Sequence, residues 1–263
     1  TGGITLSSLT SAMCPNGTLL LSSTICKQRL PRGYAWRGFN GLVQGESLVL
    51  FGVSVSGNDS FVHQWVFDEE GSMHPLLGVT GSLPSAEARF ITAIWRFHFT
   101  LNDFSALKTS LNSVEQLDYD PCTSSLNCNN TRLQRSTPFT TETFSTLSPE
   151  TQRFWRIYTP NLVNGNGIQK SLEINTRNTA QDTGRSTFGL KDFYVTQYHA
   201  SCEDFAENEC SAKNLNTFSN AETLTDPVVW VTTTWHQTSS SNQVQWQGLD
   251  IRPRDLTITS PLQ

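Results

Sequence analysis

The sequence predicts an all-β protein, a large antiparallel β-sandwich formed as a single domain over residues 1–263. Three observations carry that expectation. Short segments with period-two apolar alternation recur along the chain, each bounded by Gly, Pro, Asn or Ser. Helical periodicity is nearly absent. Only 16% of residues are charged, against a usual ~25%, and Ser, Thr and Asn supply the neutral polar faces that strands present to water. The length exceeds the common domain size of about 100–150 residues but suits one large β-rich domain with a substantial core.

Taken in order, Ser47–Gly57 reads as a strand and Phe61–Phe67 continues it with rough alternation. The acidic turn Asp68-Glu-Glu-Gly71 reverses the chain into Ser72–Thr80, which predicts a hairpin with a solvated tip rather than a catalytic carboxylate cluster. Further strands are expected at Ile91–Asn102, Asn112–Leu117, Arg153–Pro160, Gln169–Asn175, Phe193–Tyr198 and Val228–Trp235. Residues 119–150 and 200–227, rich in polar residues and each holding two cysteines, read as long loops that serve as functional excursions or subunit contacts.

Composition narrows the function. A net charge of −5, a pI near 5.5 and 10% aromatic residues exclude a basic nucleic-acid-binding surface, a charged tail, a disordered chain and a collagen-like one. No run of ~18 apolar residues offers a helical membrane span. The chain opens at Thr1 without Met or an apolar leader, as expected after removal of a signal or pro-segment. Six cysteines fall as three close couples, Cys14 with Cys26, Cys122 with Cys128, and Cys202 with Cys210. Proximity favours local pairing among the 15 connectivities that six cysteines allow. No CxxC spacing supports zinc or redox chemistry. Sequons at Asn16, Asn58 and Asn129 agree with a secretory route and with glycosylation. A secreted, extracellular, disulfide-bearing protein is the reading, with a cytosolic protein holding six buried thiols as the alternative.

The order of strands and signature residues resembles the C-terminal catalytic β-sandwich of the copper amine oxidases, as a truncated and catalytically degenerate relative. Cys14-Pro-Asn-Gly-Thr with Thr24-Ile-Cys26 is similar to that family's disulfide-bonded start of the core sheet. Ser54-Val-Ser-Gly-Asn-Asp-Ser-Phe61, Gln64-Trp-Val-Phe-Asp-Glu-Glu-Gly71 and Gly78-Val-Thr-Gly81 are similar to the cofactor strand, its hairpin and the Gly-x-Thr-Gly after it. Asn112-Ser-Val114, Trp155-Arg156, Phe193–Tyr198 and Asp226–Thr233 follow in the family's order. The resemblance implies a homodimeric enzyme that deaminates primary amines with copper and a topaquinone made from its own tyrosine.

The residues that the resemblance assigns to chemistry are replaced. Asp59 stands at the precursor tyrosine of Asn-Tyr-[Asp/Glu]-Tyr, and a carboxylate has no ring to oxidise. Counting back from Asn112-Ser-Val places the His-x-His copper strand at Trp95-Arg-Phe97. Alternation supports the register, because Trp95, Phe97, Phe99 and Leu101 share one face while Arg96, His98, Thr100 and Asn102 share the other. Trp95 and Phe97 are expected to fill the metal cavity with hydrocarbon. His236 is the possible remnant third ligand, and one histidine does not hold copper(II). The peripheral calcium positions become Phe104 and Ala106, with Asp226 left from the other half. No acidic residue precedes Cys14 to serve as the catalytic base.

Other constellations are weak. Asp59 and His63 lie on one face of a strand, but i, i+4 spacing holds them about 13 Å apart. Asn164-Gly-Asn-Gly167 reads as a turn, and the acidic run Glu203, Asp204, Glu207, Glu209 reads as a solvated loop with calcium or a cationic partner as its alternative. The expectation is a non-enzymatic module with no cofactor, binding an extracellular protein or glycan, with neither a nucleic-acid partner nor a membrane span. A homodimer, or a complex with an N-terminal fragment of the same precursor, is compatible with it. The alternative is a subunit of a primary-amine oxidase completed by another chain of that precursor, and a third reading is an unrelated hydrolase or carbohydrate-binding sandwich with clustered exposed aromatics.

Overall fold

The computed structural model describes residues 5–38, 41–81, 89–99, 110–119, 131–148, 150–177, 188–200, 214–237 and 241–254. The strands are β1 (Thr5–Leu6), β2 (Thr18–Leu20), β3 (Ile25–Gly38), β4 (Gly41–Ser56), β5 (Asp59–Asp68), β6 (Met73–Gly81), β7 (Arg89–His98) and β8 (Ser110–Tyr119). They continue as β9 (Thr131–Phe139), β10 (Thr143–Ser145), β11 (Phe154–Val163), β12 (Gln169–Thr176), β13 (Phe193–Gln197), β14 (Pro227–Gln237) and β15 (Ser241–Arg254). A single turn of helix, α1 (Leu215–Phe218), begins at Asn214, whose side chain accepts the Thr217 N–H.

The strands form two antiparallel sheets, as the alternation predicts. The large one has 11 strands in the order β2-β3-β4-β5-β6-β15-β12-β11-β8-β9, with β1 added against β4. The small one has four, β10-β13-β14-β7. Between the sheets lie Phe97, Trp155, Ile157, Leu172, Ile174, Phe193, Val195, Val229, Val231, Leu249 and Ile251. Each such side chain contributes about 1.5–3 kcal/mol by leaving water. The outer face of the small sheet is also covered, by Leu215 of α1 with Phe188 and Tyr198 packed against Tyr194, Val228 and Trp230.

Local chemistry sets the reversals. Gly57 at φ +60° closes β4 onto β5, and Gly71 at φ +87° closes β5 onto β6, both in backbone space that a side chain disfavours. In β7, Trp95 packs with buried Phe97 against the core, as does Phe99 just past the strand, while His98 is exposed, as the two-residue period requires.

Three expectations change. The stretch 119–150 is not one loop, because β9 pairs with β8 from Leu111↔Phe139 to Tyr119↔Thr131 and β10 joins β13. Its alternation is diluted by Arg, Gln, Ser and Thr on strands whose described outer residues face solvent. The stretch 200–227 contains α1 and an isolated bridge, Thr141↔Thr223. Asp68 is not part of a solvated tip: its side chain is 8% exposed and accepts from Ser47 Oγ at 2.6 Å, leaving only Glu69 and Glu70 at the surface. Cys14 and Cys26 form a disulfide with Cα atoms 5.7 Å apart. Cys122, Cys128, Cys202, Cys210, Asn129, Phe104 and Ala106 lie outside the described residues.

Candidate functional site

Asp59 opens β5 immediately after the exposed Asn58 and pairs with Ser56 on one side and Gly81 on the other. Gly81 sits at φ +155°, and a Cβ there would collide with the Asp59 carboxylate and the Asn58 carbonyl. The tight approach fixes this end of the sandwich. Gln237 of β14 donates from Nε2 to the Gly81 carbonyl at 3.2 Å, joining the small sheet to the same corner.

Trp65 shares the face of Asp59, six residues on, or about 20 Å along an extended strand. It is the centre of an aromatic cluster: its ring meets Trp95 edge-on at 6.4 Å and Phe97 at 6.3 Å, and stacks on Phe67 at 5.9 Å. The Trp95 indole N–H donates to Thr233 Oγ1 at 3.1 Å. Trp95 and Phe97 therefore present hydrocarbon to the interior.

His236 does not complete a site with them. It pairs with Phe90 across β14 and β7, whereas Trp95 pairs with Val231, five positions or about 17 Å away along the ladder. An unbroken register with an odd offset also places His236 on the opposite face of the sheet from Trp95 and Phe97. The exposed imidazole stacks on the Phe90 ring at 4.4 Å, and its other neighbour on that face of β7 is Thr92. His236 therefore lies on the far face of the sheet from the two positions to which the resemblance assigns the other ligands. Counting along one strand could not show which residues oppose His236, because that depends on the pairing register.

Copper and topaquinone, which the resemblance implies, do not fit these residues. An indole whose N–H is donated to a hydroxyl and a phenyl ring offer no lone pair to a metal, and the imidazole at His236 has Phe90 and Thr92 beside it. Asp59 offers a carboxylate in place of a phenol.

Four other polar groupings involve histidine. Half-buried His63 has its Nε2 2.8 Å from Ser54 Oγ, and burial lowers the His63 pKa from its ordinary value. His74 bridges Asp250 at 2.5 Å and Asp68 at 3.0 Å, with Arg177 donating to Asp250 at 2.7 Å and Arg32 near Asp68 at 3.3 Å. Burial acts to raise the Asp250 pKa, but hydrogen bonds from Arg177 and His74 outweigh it and hold the carboxyl below its usual range. His98 hydrogen-bonds Asp226 at 2.8 Å and stacks on Tyr198 at 4.4 Å, which employs the one aspartate that the resemblance leaves of the family's calcium site. The last grouping is Glu142, His199 and Glu222, whose ligand-capable atoms lie within 4.8 Å of one another. None of these was visible in the sequence. The partners that contact these histidines stand 6 to 176 residues away and are brought together by the pairing of the strands.

No protein-family model and no curated protein matches the chain. Solved structures do. A copper-containing benzylamine oxidase from Hansenula polymorpha superposes with a TM-score of 0.73 at 14% identity, covering 91% of this chain and 45% of its own. An amine oxidase from Aspergillus nidulans gives 0.71 at 14% identity, covering 91% and 39%. The Pichia pastoris lysyl oxidase gives 0.67 at 15% identity, covering 90% and 39%. The chain spans less than half the length of these proteins. Nearly all of it nonetheless follows their path through space, and the protein carries the β-sandwich fold of the copper amine oxidase catalytic domain.

Proposed function

We propose that the protein is a secreted, glycosylated, non-catalytic binding module built on the amine oxidase sandwich. The observation that carries this reading is the residue set at the positions of the chemistry. Asp59 cannot become a quinone, and Trp95 and Phe97 fill the interior with aromatic carbon against Trp65. His236 faces away from both. A fold kept without its reacting groups retains its surfaces, and function then resides in what they bind. The Cys14–Cys26 disulfide and the exposed positions of Asn16 and Asn58 in turns support the secretory part of the reading. Among the described residues no helix is long and apolar enough to cross a membrane. The partner class is an extracellular protein or glycan.

The test is a quinone redox stain on the purified protein combined with an assay for aldehyde formation from a primary amine. Both should be blank. A stained band or amine turnover overturns the reading in favour of a primary-amine oxidase subunit completed by another chain.

A further inference from the structure

The Glu142, His199 and Glu222 grouping stands apart from every residue considered for amine oxidation. Its three members come from three segments that close one end of the small sheet. Glu142 precedes β10, His199 follows β13, and Glu222 precedes β14. The backbone draws them together: the Glu142 N–H donates to the Glu222 carbonyl at 2.8 Å, and Thr141 bridges Thr223 beside it.

Glu142 is 4% exposed. Its two carboxylate oxygens accept the Gln197 and Asn220 N–H groups, each at 2.7 Å, which fixes the group in place and leaves each oxygen a further lone pair. Among the described residues no Lys or Arg pairs with it, although buried carboxylates are ordinarily matched by a cation or a metal. A second carboxylate, Glu222, lies in the same cluster, and its Oε2 is 3.0 Å from His199 Nε2. Two carboxylates and one imidazole therefore converge on one point, with acidic groups outnumbering the basic one.

We propose that Glu142, His199 and Glu222 form a site for one divalent ion of the zinc type. A metal at ~2.0–2.2 Å from each ligand spans up to about 4.4 Å between donors, which small rotations of the exposed Glu222 and half-exposed His199 supply. One imidazole nitrogen with two carboxylate oxygens is a borderline donor set that suits zinc and its neighbours. Calcium needs six to eight oxygens, and three donors including a nitrogen are a poor match. The fixed buried carboxylate acts as the anchor and the two outer ligands close over the ion. Bound metal ties the segments before β10, after β13 and before β14 into one clip, stabilising that end of the sheet.

The experiment is titration of the whole chain with Zn²⁺ alone by calorimetry, repeated for His199→Ala, Glu222→Gln and the control His98→Ala. These positions are at or near the surface, so the fold is retained, and circular dichroism verifies it. One saturable equivalent is expected, weakened at least tenfold in H199A and in E222Q and unchanged in H98A, with Zn²⁺ shifting the His199 ring nitrogens in NMR spectra. The absence of a saturable equivalent overturns the proposal. So does affinity retained in either ligand variant, or Ca²⁺ displacing Zn²⁺ at equal concentration. None of these outcomes depends on whether the protein turns over amines.

Discussion

Single residues show how far burial rewrites side-chain chemistry in this protein. His63 is half-buried with Ser54 as its partner, and burial holds its pKa below 6.5. The unfolded chain protonates first as pH falls, so this residue leaves stability unaffected above the unfolded value and subtracts from it as pH drops below about 6.5. Urea denaturation at stepped pH should therefore show that H63Q is less acid-sensitive than the parent between pH 6.5 and 5. An equal slope in both proteins removes the assignment. Phe97 makes the converse point, because it lies where the resemblance expected a ligand and instead packs on Trp65 and Phe99. F97A should cost about 3–5 kcal/mol by creating a cavity at the centre of the aromatic cluster, read from the urea midpoint. A cost below about 1 kcal/mol would mean that Phe97 is not part of a packed core.

At the level of elements, legibility tracked the clarity of alternation. The β4–β5–β6 run and β7 were readable because apolar residues recur every second position with glycines at the reversals. β9 and β15 were missed. β9 carries Arg, Gln and Ser with little alternation, and β15 lies at the centre of the large sheet, where polar Gln247 is buried by donating to the Ile91 carbonyl. The β2–β3 corner depends on another device. Leu9, Cys14 and Cys26 form a small satellite core, and the Cys14–Cys26 bond closes a short loop across it. Replacing both cysteines with Ala should lower stability by about 2–4 kcal/mol, with protease sensitivity appearing first near residues 14–26. A change below about 0.5 kcal/mol would show that Leu9 and Leu19 hold the corner unaided.

At the scale of the molecule, the two sheets and their order decide which residues can act together. Asp59 and His236 stand near the same end of the sandwich, since Gln237 reaches the Gly81 partner of Asp59, yet the faces of β5 and β14 keep their side chains apart. The reverse holds for Glu142, His199 and Glu222, which are 80 residues apart at the extremes and meet at one corner. Alternation, turn residues and composition sufficed by themselves to determine an all-β chain and the inward face of β7, because each is a property of neighbours along the chain. The sequence could not determine that His236 opposes Phe90, that Asp68 is buried with His74 and Asp250, or that a buried glutamate is joined by a histidine and a second glutamate. Those facts depend on the register between strands distant in sequence, and a shift of one residue in register would have turned every one of these side chains to the other face.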